Sequence, residues 1–129
     1  MKAMVLSNGE LKVKDIEDTL EELQKIVGGY IEIPFLSEVF AENEIDVVIN
    51  EEGKLIEGLT PEIAVIGKKT NSVLDIVYGN CVFVSHDEEG NTVALNDKQV
   101  AIVKDQLKME VILHNNKEDK DIVLKALFI

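Results

Sequence analysis

The chain has 129 residues, enough for one ordinary hydrophobic core, and at 46% hydrophobic and 29% charged it reads as globular rather than disordered. A formal net charge of −12 works against direct binding to nucleic acid or anionic membranes, and all thirteen cations are lysine, so no arginine finger, guanidinium fork or arginine reading of guanine is available. The one cysteine, Cys81, excludes an internal disulfide; the absence of a long apolar run and the early polar turn at Asn8-Gly9-Glu10 predict no membrane span and no signal peptide, and hence a cytoplasmic protein.

In chain order, residues 2–6 and 10–14 flank Ser7-Asn8-Gly9 and predict a hairpin. Asp15 offers a helix N-cap, and Ile16, Leu20, Leu23, Ile26 and Val27 form one apolar stripe, so a helix is expected from Ile16 to Val27. Gly28-Gly29 stops it, with one of the two at the left-handed position. Tyr30-Ile31-Glu32-Ile33 alternates as a strand ended by Pro34, and Ile45–Ile49 is a second, closed by the turn Asn50-Glu51-Glu52-Gly53. Between residues 55 and 80, Gly58, Pro61, Gly67 and Gly79 interrupt weak apolar patches, which predicts loops with one helical turn at most. Cys81–Ser85 and Thr92–Leu95 predict a hairpin about Asp87–Asn91. Asn96 then caps a helix with Gln99 at its third position and Val100, Val103 and Leu107 as its stripe. Two strands, near 109–114 and 121–128, close the chain around the polar loop Asn115–Lys120. Strand runs flanking two helices, without βαβ alternation, predict a single α+β domain over 1–129: a mixed or antiparallel sheet with two helices packed on it.

No nucleophile and base come together at a recognisable spacing, so neither an enzyme nor a catalytic residue is expected. Cys81 lies in an apolar strand with no neighbouring cation, which reads as a buried, inert thiol. His86-Asp87-Glu88-Glu89 lacks a second ligand pair at metal spacing, and no glycine group opens a helix as a phosphate loop; no metal and no cofactor are expected. Charge, however, is concentrated: between Asp15 and Glu52 stand twelve acidic residues and one basic residue, Lys25. Two stretches exceed what plain turns need. Gly28-Gly29-Tyr30-Ile31-Glu32 sets a tyrosine and an acid directly after a backbone break, where a helix cap feeding a strand is the plain alternative. Asn50-Glu51-Glu52-Gly53-Lys54-Leu55, followed by Gly58-Leu59-Thr60-Pro61, is dense in polar turn residues, and loops are where binding concentrates.

These stretches recur in an ordered set. Val27–Glu32, Val48–Leu55 with Gly58-Leu59 and Pro61 behind it, Asp75-Ile76-Val77-Tyr78-Gly79, Cys81–Val84, the acidic turn Asp87–Gly90 and Leu95–Gln99 together resemble an uncharacterised family, domain of unknown function 3846. The resemblance covers residues 1–107, with an extra residue or so between Leu55 and Gly58-Leu59; residues 108–129, the last strand pair, read as an addition. With Asp75 and Tyr78 from the third motif, the candidate binding residues are Tyr30, Glu32, Asn50, Glu51, Glu52, Lys54, Asp75 and Tyr78.

The resemblance implies a setting rather than a mechanism: small proteins of low-GC Gram-positive bacteria, their phages and plasmids, of no established activity. Small phage proteins of this kind are often interaction modules, including inhibitors of host defence. The leading expectation is therefore a non-catalytic acidic binding protein of phage or mobile-element type. It would engage or inhibit a host protein with a basic surface, in the host cytoplasm, in an anti-defence or decoy role. The alternative is a small-ligand binder that sequesters a nucleotide-type signal in a cleft beside Tyr30, Asn50 and Asp75. Because the last strand pair is apolar on both pleat faces, a two-fold homodimer through it is expected, with Leu127 and Ile129 buried at the contact.

Overall fold

The computed structural model describes residues 1–115 and 120–129, and the expected loop at Asn115–Lys120 falls largely outside the described residues. Strand β1 (Lys2–Ser7) turns at Asn8-Gly9 into β2 (Glu10–Asp15), in the antiparallel register Ser7↔Glu10 that a two-residue turn dictates. The helix expected from Ile16 begins later. Ile16 donates its backbone N–H to the Met1 carbonyl at 2.9 Å and its carbonyl accepts from the Met1 amino group at 2.8 Å, so it prolongs the hairpin pairing instead of opening a helix. The N-cap is Thr19, whose hydroxyl accepts from the Glu22 N–H, and α1 spans Leu20–Val27. It ends where expected, at Gly28, whose φ of 83° is the left-handed cap that a side chain would disfavour.

Strand β3 (Ile31–Glu32) follows, then a third helix that the sequence did not announce, α2 (Glu38–Glu42), capped by the Ser37 hydroxyl. Beyond it run β4 (Ile45–Asn50), β5 (Pro61–Ile66), β6 (Val73–Tyr78), β7 (Cys81–His86), β8 (Thr92–Val93), α3 (Asp97–Gln106), β9 (Glu110–Asn115) and β10 (Lys120–Phe128). Residues 55–80, expected as loops, thus contain a β-hairpin. Its signal was hidden because β5 is buried almost throughout, so its apolar residues do not alternate. The capping box of α3 is formed as expected, Asn96 and Gln99 each accepting from the other's backbone N–H.

Among the described residues the strands form two sheets. The first has the order β2-β1-β7-β4-β3, with β8 beside β7; the second has the order β6-β5-β10-β9. In the second sheet β10 runs parallel to β5, with Lys125 opposite Ile63, and its other pairings are antiparallel, so the fold is α+β with one antiparallel and one mixed sheet. One face of the first sheet buries Ala3, Val5, Val48, Val82 and Val84 beneath Leu23 and Val27 of α1. The other face packs Met4, Leu6, Val47 and Phe83 against Ile63, Val65, Val77 and Leu127 of the second sheet, with Phe40 of α2 and Val103 and Leu107 of α3 filling the sides. Phe40 and Phe83 meet edge to face, ring centroids 6.0 Å apart. Leu127, expected at an intermolecular contact, is completely buried in this core of its own chain and is not available to a second one; Ile129 is 42% exposed. The explanation is β10's central place in the second sheet, which points Leu127 at the first.

Glu62 joins the two sheets. It is buried on β5, and its two carboxylate oxygens accept the backbone N–H groups of Asn8 and Gly9, each at 2.7 Å, in the turn of the first hairpin. Desolvation pushes its pKa up, and those two hydrogen bonds oppose the shift. Burial likewise pushes the Cys81 thiol well above its ordinary range, as an inert core residue requires.

Candidate functional site

The cleft of interest begins with a helix that must be ended and a strand that ends beside it. The last carbonyls of α1 have no partners within the helix. Asn50, the final residue of β4, satisfies one of them: its side-chain Nδ2 donates to the Val27 carbonyl at 3.1 Å while its Oδ1 accepts from the Glu52 N–H at 2.8 Å. Asn80 donates to the Ile26 carbonyl in the same way. Asn50 is buried and both ends of its amide are engaged within the chain, so its part is to shape the cleft.

From Asn50 the chain coils through successive tight turns, Gly53 N–H to Asn50 carbonyl and Leu55 N–H to Glu52 carbonyl, and rests on the end of β6. Gly53 is required for that approach: a Cβ on it would stand 2.8 Å from the Tyr78 carbonyl oxygen. On the other side Glu51 donates its N–H to the Tyr30 carbonyl, which fixes the turn to the segment entering β3. The turn, the β6 edge and residues 32–36 enclose a cleft of about 220 Å³.

Seven of the eight candidate residues, Glu32, Asn50, Glu51, Glu52, Lys54, Asp75 and Tyr78, line this one cleft. Tyr30 does not. It stands 71% exposed in an adjoining depression formed with Gly28, Gly29, Asn50, Glu52 and Ile56. The sequence reading missed the apolar wall: Pro34, Phe35, Leu36, Ile49, Leu55, Ile76 and Val77. Of these, Phe35 is 71% and Leu55 84% exposed, large apolar side chains held open to water at the mouth. The available signal was the run Ile33-Pro34-Phe35-Leu36, four apolar residues leaving a strand that Pro34 stops.

The electrostatics are one-sided. Glu32, Glu51, Glu52 and Asp75 face a single lysine, Lys54, and that ammonium is already engaged by Asp75 across the cleft. The hydrogen bond from Lys54 holds the Asp75 carboxyl below its ordinary range, helped by the Ile76 N–H at 2.8 Å. The same bond raises the Lys54 pKa, with smaller contributions from Tyr78 and Glu32. Both partners are largely exposed, so the pair stabilises the fold little, at most about 1 kcal/mol. What it fixes is position, tying the 50–56 turn to β6. Among the described residues no group of three or more His, Cys, Asp or Glu side chains is placed to hold a metal ion, and no helix is long and apolar enough to cross a membrane.

Residues 1–108 match the family model for a domain of unknown function, DUF3846. The chain belongs to this family. The DUF3846 match takes in every wall of the cleft and ends before β9, so the β9–β10 hairpin lies beyond it. That hairpin supplies two of the second sheet's four strands and the core residue Leu127. No curated protein and no solved structure is detectably similar to this DUF3846 chain.

Proposed function

We propose that this protein is a non-catalytic binding module whose acidic, apolar-rimmed cleft receives a cationic segment of a partner protein. The observation that carries the reading is the composition of the cleft: four carboxylates, no uncommitted cation, and two exposed large apolar side chains at its mouth. A lysine or arginine entering between Glu32, Glu51 and Glu52 would gain charge-assisted hydrogen bonds, and its aliphatic stem or guanidinium plane would lie against Phe35 or the neighbouring Tyr30. Exposed aromatic and apolar anchors ringed by polar groups are the usual make-up of binding hot spots. The wider acidic segment, with Glu17, Asp18, Glu21, Glu38 and Glu42 all exposed, would steer such a partner towards the module. A nucleic-acid-handling host protein presents this kind of basic surface, which is consistent with a decoy or anti-defence role for a protein of phage or mobile-element type.

The same carboxylates argue against the second reading, a sequestered nucleotide signal. A phosphate in this cleft would meet four like charges and one lysine already paired with Asp75.

The test is capture from a host lysate with the wild type, with the triple variant Glu32→Lys, Glu51→Lys, Glu52→Lys, and with a control reversed on the approach to α1, Glu17→Lys, Asp18→Lys. A partner lost with the cleft variant but kept with the control is the expected result. A partner that the cleft variant retains overturns the proposal.

A further inference from the structure

The two sheets have exposed edges, and all but one carry a device that discourages pairing with another strand. The β2 edge presents Lys12 and Lys14, while β3 and β8 are only two residues long. The β6 edge is irregular, with register shifts at Pro61/Ile63 and Val65/Ile66 opposite it, and it carries Asp75. The β9 edge is the exception: its one carboxylate, Glu110, is already paired with Lys125 of the neighbouring strand at 3.1 Å. Residues 110–114, Glu-Val-Ile-Leu-His, contain neither lysine nor proline, and their register with β10 runs unbroken.

The backbone of that edge has a definite parity. The Ala126 N–H donates to the Met109 carbonyl at 2.8 Å, and in an antiparallel pair residues alternate in which neighbour their N–H and C=O address. Odd-numbered residues of β9 therefore turn to β10, and Glu110, Ile112 and His114 turn their N–H and C=O groups outward. We propose that this edge pairs with the β9 edge of a second copy of the chain, antiparallel, with Ile112 on the two-fold axis. In that register every outward group finds a partner: Ile112 bonds Ile112, and Glu110 bonds His114 of the other copy.

The side chains fit the same register. On one face, Asp121 pairs with His114 at 2.9 Å and Lys125 with Glu110 at 3.1 Å within each chain. Two-fold pairing sets His114 against the partner's Glu110, so the row across the junction reads Asp121, His114, Glu110, Lys125, alternating in charge when the histidine is protonated and hydrogen-bonding when it is not. Between two such rows lie the two copies of Ile112, now 65% exposed, flanked by Val123 at 47%. On the other face Val111 and Leu113 extend the small cluster around Leu124 and Ala126, whose apolar members all come from strands, into one continuous with the partner's. The result is an eight-stranded sheet with β6, and so a cleft, at each far end. Seven strand spacings put those ends about 34 Å apart, which would make the module bivalent.

The experiment is sedimentation equilibrium of the full chain at micromolar concentration, wild type beside Ile112→Lys, with residue-level amide exchange on the wild type. The expected mass is twice 14.4 kDa, and the amides of Glu110, Ile112 and His114 should be protected. Ile112→Lys puts two ammonium groups on the axis and should raise the dissociation constant roughly a hundredfold or more, leaving a folded monomer because that side chain is exposed. A wild-type mass of 14.4 kDa with freely exchanging Ile112 amide, or a dimer indifferent to Ile112→Lys, overturns the proposal. If the variant does not fold, the wild-type exchange pattern decides alone.

Discussion

Replacing Asn50 by alanine separates a residue that builds the cleft from one that touches a ligand. The substitution removes the donor to the buried Val27 carbonyl and the acceptor for the half-buried Glu52 N–H. A fully buried orphan costs about 1–3 kcal/mol, and one that water can reach costs less, so the two together should destabilise the fold by roughly 2–4 kcal/mol. At about 4 °C per kcal/mol for a domain of this size, the melting temperature should fall by roughly 8–16 °C. Asn50→Asp is the informative companion. It keeps the acceptor for Glu52 but sets a carboxylate oxygen against the Val27 carbonyl, at the negative end of α1. Its folded pKa is thereby raised, so the variant should be more stable when that carboxyl is protonated and should lose stability as pH rises through the folded value. Urea titrations followed by circular dichroism, with the slope unchanged from wild type, measure both. An Asn50→Ala variant that melts within about 1 °C of wild type would refute the scaffold role assigned to this amide.

Gly53→Ala should cost about 1–3 kcal/mol, because its Cβ meets the Tyr78 carbonyl and the 50–56 turn must lift from β6; a wild-type melting temperature would show that the turn has room to move. Leu127→Ala should cost about 2–5 kcal/mol without changing the oligomeric mass, since the side chain lies in the chain's own core; a well-folded variant of altered mass would place Leu127 at an interface after all. Glu62 has a folded pKa above its unfolded one, so its contribution favours folding at low pH and is lost as pH rises from its ordinary 4.5 through the raised value. The stability of wild type relative to Glu62→Gln should therefore fall across that interval, and a difference that is flat or rises with pH would contradict the burial assigned to this carboxyl.

The elements legible in the sequence are those whose signals are local. The Asn8-Gly9 turn, the Gly28 cap, the Asn96–Gln99 capping box and the closing hairpin each rest on residues within a few positions of one another, and each formed. What misled were residues whose partners lie far along the chain. Asp15 and Ile16 carry the marks of a helix start, but both are taken by the N-terminus of the protein. Strand β5 was invisible because both its faces are buried, Ile63 and Val65 in the core between the sheets and Ala64 and Ile66 in the cluster it shares with β10, some 60 positions later, and so it shows no alternation. Helix α2 is five residues long, too short for periodicity to declare itself. The cleft divides along the same line. Its polar residues stand in turns and were legible as such. Phe35 and Leu55 were not, because an apolar residue in a sequence reads as core until the fold leaves it in water.

The central claim is that a protein partner seats its cationic segment in the cleft between the 50–56 turn and the β6 edge. Hydrogen-exchange footprinting of the captured complex addresses it directly. Binding should slow exchange together in three segments, 30–36, 50–56 and 73–78, which no single helix or strand connects. Protection confined to α1, or to β9, with those three segments exchanging as in the free protein, would contradict the account.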